Sequence, residues 1–491
     1  MRHIGLDPRL FAALVVGVFM GALDLTIVAP ALPHMGRSLG VSPAAVVLAF
    51  SIYAAFYAVS VPVMGKLADT RGYGTIYRAS LLLFAGGSAV AAMSPNLPIL
   101  VIARIVQGIG GGGLFPVAQA IVGTKLPVEK QGRILGILVG VFALGGVLGP
   151  NLGGFFTQTL TWRWIFWVNV PLGVIGTFMI RGVDVDSPRE KTKKIDWAGA
   201  FLVAVSLGSL VLSLESLRQV ELGLFNWLTV SFILAAAIGF TALVIVERRH
   251  SDPIVDVSFV ASRSVGPLLL VSFFVGYALL AGVVFTPFYA QIAFGATTLA
   301  SGAILNAAAA GVGLASFLAG RFTGLRSSRP LILLGMMCTA GGLTAMILLR
   351  ENVLGLLAGL VLLGIGLGLT QGPISYVGLQ LAPPEKQGQI SGLIAITRSM
   401  GGATGITLAG VFLTRSVFGL SGSAFQISTS DVWATDGGGL SALDELPGQG
   451  AEVVRQVVID GLVHGWYWAL GAALAGLIAA FFLEKTTPSR E

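Results

Sequence analysis

The chain has 491 residues, 55% hydrophobic and only 11% charged, with 30 Lys and Arg against 23 Asp and Glu and a formal net charge of +7. Soluble domains carry about 25% charged residues, so this composition excludes a water-soluble protein and specifies an integral membrane protein. A single cysteine, Cys338, excludes a disulfide framework and a cysteine-held metal, and the four histidines (His3, His34, His250, His464) are scattered too widely to form a ligand cluster.

A membrane-spanning helix needs about 20 apolar residues. Fourteen segments meet this in chain order: 10–33, 44–64, 76–94, 98–124, 133–157, 164–181, 196–214, 224–246, 264–286, 299–320, 330–349, 353–381, 389–415 and 461–483. Barrel strands would be about ten residues long and alternating, so the expectation is an all-helical protein. The first segment is too long for a signal-peptide core and no small-residue cleavage site follows, so it is expected to be retained. With the N-terminus inside, most Lys and Arg fall on the inner side. Arg37, Arg163, Arg218, Arg350, Arg415 and Arg455 are left outside, and Arg104 and Arg398 lie within spans. That asymmetry predicts fourteen spans with both termini cytoplasmic, and an outer loop over 416–460.

The first span carries Asp24, the one carboxylate that falls inside a predicted span. An ionised carboxylate in hydrocarbon is costly unless it is paired, hydrated or protonated. Its isolation points to proton handling, against the plainer alternative of a structural hydrogen bond near the outer interface. It lies about 21 Å from the inner end of its span at 1.5 Å per residue, so protons are expected to reach it from outside. The loop after the second span runs from Gly65 through Asp69, Arg71 and Gly72 to Gly74. Its glycines permit a tight turn, and Asp69 suits either a pair with Arg71 or the positive N-terminal end of a neighbouring helix.

Arg104 in the fourth span needs a partner at its depth. In the fifth, Gly145, Gly149 and Gly153 recur every four residues on one helix face, suited to a close crossing, and Pro150 removes a helical hydrogen bond. Arg398 in span 13 has no nearby acid in sequence; it pairs with Asp24, takes an anionic group on a substrate, or bonds backbone carbonyls.

The chain also repeats itself. Pro127-Val-Glu-Lys-Gln-Gly-Arg-Ile-Leu-Gly136 returns as Pro383-Pro-Glu-Lys-Gln-Gly-Gln-Ile-Ser-Gly392, and Gly65-Lys-Leu-Ala-Asp-Thr-Arg71 returns as Gly320-Arg-Phe-Thr-Gly-Leu-Arg326, with Gly324 in place of Asp69. The register lays spans 1–6 over spans 9–14, a parallel repeat that suits two halves rocking around a central site. The expected organisation is a six-helix half over 1–181, an inserted helix pair with linkers over 182–263, and a second six-helix half over 264–491.

Together these residues resemble the major facilitator superfamily, and within it the fourteen-span drug:proton antiporters. The resemblance rests on the Gly65–Gly74 loop, on Arg104 and Gly108, on Gly145-x-x-x-Gly149-Pro150-x-x-Gly153-Gly154, on Leu23-Asp24 through Pro33, and on Trp162 through Pro171. It implies proton-coupled efflux of amphipathic small molecules by alternating access, with no cofactor and the proton gradient as energy source. The setting would be the cytoplasmic membrane of a bacterium, and the unit a functional monomer whose partners are substrate, protons and lipid, with no nucleic acid. A periplasmic adaptor is left open.

By the same resemblance Asp24 would be the protonation site, modulated by Arg104. Gly65, Asp69, Arg71, Gly72 and Glu129 would form the inner gate, with Asp69 against the start of span 13 near Gln387. Gly145, Gly149, Pro150, Gly153 and Gly154 would form a pliable helix that favours export. A pocket between the halves is expected to draw on Tyr53, Tyr57, Gln119, Phe142, Phe285, Asn306, Gln371, Tyr376 and Arg398. Spans 9–14 lack the further acids of several multidrug members. That disfavours dications and suits neutral, zwitterionic, monocationic or anionic amphiphiles. Export of one endogenous metabolite or lipid is the close alternative. Uptake symport is disfavoured by the span 5 signature, and an enzyme by the lack of a catalytic constellation.

Overall fold

The computed structural model describes residues 6–28, 31–41, 43–183, 185, 196–217, 226–248, 256–323, 327–421 and 450–484. The long helices in chain order are α1 (Pro8–Ile27), α2 (Leu32–Leu39), α3 (Pro43–Arg71), α4 (Tyr73–Met93), α5 (Leu97–Lys125), α6 (Val128–Thr159), the short α7 (Trp164–Trp167) and α8 (Asn169–Ile180). There follow α9 (Trp197–Leu217), α10 (Trp227–Glu247), the one-turn α11 (Val257–Val260), α12 (Val265–Val283), α13 (Thr286–Phe294), α14 (Thr298–Phe322), α15 (Arg329–Leu348), α16 (Val353–Leu381), α17 (Gln387–Ser421) and α18 (Gly450–Phe481). Helix occupies every apolar segment named above, as it must where no water satisfies backbone groups. Among the described residues, 10 helices are long and apolar enough to cross a membrane, with shorter apolar helical stretches at Trp164–Ile180 and Ala198–Leu210.

Two expected spans are broken. The first ends at Ile27 and a new helix starts at Leu32 with a proline in its first turn, and span 6 divides into α7 and α8; span 9 ends at Val283, near its expected bound, and α13 follows from Thr286. Proline fits a helix start, where its missing N–H is no loss. Helix also enters the expected loop 416–460 from both ends, to Ser421 and from Gly450; 422–449 lie outside the described residues, as does most of the linker 182–195.

The packing follows the sequence repeat. α1 lies on α6 and α8, α4 on α5 and α8, and α3 on α5; their repeat counterparts α12 on α17 and α18, α15 on α16 and α18, and α14 on α16 pack likewise. Across the middle, α3 packs on α17 and α6 on α14, again repeat counterparts. α9 lies on α10, α3 and α17, while α10 is only 22% buried. Apolar side chains such as Phe201, Leu234, Ile238, Phe178 and Leu82 face outward, the surface expected of a protein solvated by lipid. The turn between α3 and α4 is a single residue, Gly72, at φ +105°, a conformation closed to L side chains, which is why the loop carries glycine there.

Candidate functional site

Asp24 sits on α1 with no solvent exposure. Its Oδ2 accepts from Arg104 Nη1 at 2.7 Å, and its Oδ1 accepts from Gln107 Nε2 at 2.8 Å and, at 3.4 Å, from Asn169 Nδ2. Arg104 Nη1 also donates to Gln107 Oε1 at 2.8 Å, and Gln107 Nε2 reaches Ser88 Oγ at 2.8 Å. The guanidinium lies over the Tyr53 ring, 3.8 Å from its centroid. Helices α1, α3, α4, α5 and α8 thus converge on one carboxylate. Both carboxylate oxygens accept from side-chain donors, while Arg104 Nε and Nη2 find no hydrogen-bond partner among the described residues.

The glycine face of α6 lies directly behind this site. A Cβ on Gly145 would meet the Phe19 carbonyl at 2.8 Å and Ala22 Cβ at 2.9 Å; one on Gly149 would strike Thr26 Oγ1 and the Leu23 carbonyl; one on Gly153 would strike the Ile27 carbonyl. The spacing in sequence is therefore the groove that lets α6 lie on the α1 backbone around Asp24. Gly154, which the resemblance grouped with these, faces open space. Helix runs unbroken through Pro150.

Asp69, at the end of α3, crosses to the start of α17. Its Oδ1 accepts from the Gly388 amide and its Oδ2 from the Gln389 amide, both at 2.8 Å, while Tyr73 donates its hydroxyl to Oδ1 at 2.6 Å. The carboxylate thus caps the first free N–H groups of a 35-residue helix, at the positive end of its dipole. Gly65 meets the Gly388 backbone, and its repeat counterparts meet too, Gly320 against Gly132. Gln131 accepts from Gln380 Nε2 at 2.9 Å at the same end. Arg71 and Glu129 are exposed and take no part in these bonds, against the expectation that they share the network.

The residues expected to line a pocket divide. Tyr53 belongs to the Asp24 site. Gln119 Nε2 donates to Ser375 Oγ at 2.7 Å, a bond between repeat-equivalent positions. Arg398 donates from Nη1 to Gln371 Oε1 at 3.2 Å and lies near the Phe115 and Phe142 rings, at 5.1 and 5.6 Å. Tyr57 is buried in the main apolar core. Phe285 and Tyr376 are buried in the main apolar core, and Asn306 is exposed on α14 and joins none of these groups. Sequence reasoning missed Gln107, Ser88, Asn169 and Tyr73 as site residues. All four lie within the motifs or spans it read, but an uncharged polar residue in a helix carries no signal until its neighbours are known.

Comparison with known proteins places this arrangement. The sequence matches the Major Facilitator Superfamily over residues 14–406. It is 30% identical over 410 residues to the multidrug transporter protein MdtP of Bacillus subtilis (strain 168), covering 82% of this chain and 75% of that protein. It is 29% identical over 400 residues to the multidrug resistance protein Stp of Mycobacterium tuberculosis (strain CDC 1551 / Oshkosh), covering 81% and 74%. The fold is similar to that of the human organic anion transporter MFSD10 (TM-score 0.63, 14% identity, 95% of this chain and 100% of that one) and of the proton:xylose symporter XylE (0.61, 11%, 96% and 94%). On the match over 14–406, which takes in the Asp24 site, the Asp69 cap and the glycine face of α6, the chain belongs to the Major Facilitator Superfamily.

Proposed function

We propose that this protein is a proton-coupled exporter of amphipathic small molecules, working by alternating access in the cytoplasmic membrane of a bacterium. In this reading fourteen spans form two parallel six-helix halves and an inserted pair, with both termini in the cytoplasm, and the monomer is the working unit. The observation that carries it is Asp24: a carboxylate with no solvent exposure, bonded by Arg104 and Gln107 inside an apolar bundle. The multidrug names of its relatives support the substrate class.

The geometry suggests how a proton would act. Protonating Asp24 removes its charge and weakens the pair with Arg104, a change of about a few kcal/mol in a site shielded from water. α1 carries that change to α6 through the glycine crossing. α6 meets α14 at its other end, at Gly132 and Gly136, beside the closed seam of Asp69 and α17. The cross-half bonds named above all lie between that seam and the middle of the bundle, so this structure is read as closed to the cytoplasm. Neutralisation at one end of α6 thereby biases the packing at the other.

The test is flux in proteoliposomes with an imposed pH gradient, wild type against Asp24→Asn. The expected outcome is gradient-driven export by the wild type only; uphill export at the normal rate by Asp24→Asn would sink the proton role.

A further inference from the structure

The two arginines within the bundle are treated differently. Arg104 is neutralised by Asp24. Arg398, on α17, has no carboxylate paired with it among the described residues; its bond is to the neutral Gln371 amide oxygen. A bare cation inside a membrane protein is costly, and two ring faces with one long neutral bond offset only part of that cost. The side chain is half-buried and sits where both sets of helices meet: Phe115 from α5 and Phe142 from α6 on one side, Gln371 from α16 on the other. Phe115 and Phe142 pack together, 4.9 Å between centroids, to make an apolar wall beside the guanidinium.

We propose that Arg398 is the recognition group of the transport cleft and that its ligand is an amphipathic monoanion, an oxyanion such as a carboxylate or sulfonate carried on an aromatic body. This deepens the exporter reading and rests on it for the ligand's fate, though not for its binding. Asp24 and Arg104 offset each other, while the charge of Arg398 meets no carboxylate among the described residues. A guanidinium presents a planar fork that takes two oxyanion oxygens at once, which neither Gln371 nor a ring face supplies. The Phe115–Phe142 wall stacks the apolar body. Both partners of the ligand change spacing if the halves rock, so the occupant is contacted by each. Cations of the same shape are repelled by the guanidinium, which has no carboxylate paired with it among the described residues.

The test is equilibrium binding to purified full-length protein, with no proton gradient, of three isosteric probes: 1-naphthylacetate, 1-naphthylacetamide and (1-naphthylmethyl)trimethylammonium. The wild type is expected to bind the acid most tightly. Arg398→Gln should weaken the acid by about tenfold or more, the size of one charge-assisted hydrogen bond, while the amide stays within about twofold. Arg398→Lys, a charge without the fork, should fall between. Unchanged amide binding certifies that the variant is folded. The proposal is overturned if the wild type binds the acid no better than the amide, if it binds none of the probes, or if all three weaken together in Arg398→Gln, the sign of a packing role. Loss of gradient-driven flux with Arg398-dependent acid binding intact would instead defeat the exporter reading alone.

Discussion

Truncating Arg104 leaves the Asp24 carboxylate buried with Gln107 and a distant Asn169 as its donors. Removing one partner of a buried pair costs about 3–5 kcal/mol, so Arg104→Ala should melt well below wild type in a detergent thermal-shift assay. The double variant Asp24→Asn with Arg104→Gln should recover most of that loss. A wild-type melting curve for Arg104→Ala would show that the pair is not structural. Both charges were legible in the sequence because a charge in an apolar run stands out by composition alone. Their companions were not: Gln107, Ser88 and Asn169 become a site only when three further helices are brought to α1. Tyr53 was read as a pocket residue because an aromatic in a span has many uses, and its place under Arg104 is set by the crossing of α3 and α5.

At the scale of helices, the glycine spacing of α6 separates tolerant from intolerant positions. Gly149→Val puts a branched side chain into the Leu23–Ile27 backbone and should abolish export and lower stability, whereas Gly154→Val enters open space and should leave export near wild type. Equal flux from the two variants would remove the glycine groove from the mechanism. A second helix-scale contact lies outside the membrane. Asp256 accepts from Lys386 Nζ at 2.7 Å and from Ser258 and the Phe259 amide, tying the N-terminal end of α11 to the turn that starts α17. Partial burial alone would raise its pKa; the hydrogen bonds from Lys386, Ser258 and Phe259 outweigh burial and hold it at about 2, below the usual 3.8. A depressed folded value stabilises above the unfolded pKa and is lost as pH falls through the folded one. Melting temperature should therefore drop between about pH 4 and pH 2 by a component missing from Asp256→Asn; coincident profiles would show that the tether adds nothing. The helices themselves were legible as apolar runs. The break at Ile27 was not, because the apolar character continues through it and only the proline hints at a restart.

For the whole molecule, the seam of Asp69, Gln131 and Gln380 must part if substrate is to enter from that end. In a Cys338→Ala background, oxidising a Gln131→Cys, Gln380→Cys pair should stop transport and reduction should restore it; transport indifferent to the crosslink would mean that this seam is not a gate. The repeat was legible as two copies of one loop sequence. The resemblance gave Asp69 against the start of α17; that Gln131 meets Gln380 and Gly132 meets Gly320 was not legible, since those positions are far apart in the chain. Those contacts also carry a consequence for how the molecule opens. The two seams are built alike, Gly65 on Gly388 and Gly132 on Gly320, yet among the described residues a carboxylate fastens the first alone, and the second copy of the loop has Gly324 in sequence where the first has Asp69. A closure with one riveted edge and one merely abutting edge does not lift evenly. Under the proposed alternating access it is expected to peel, beginning between α6 and α14 beside the helix that packs on Asp24, with the Asp69 edge the last to let go.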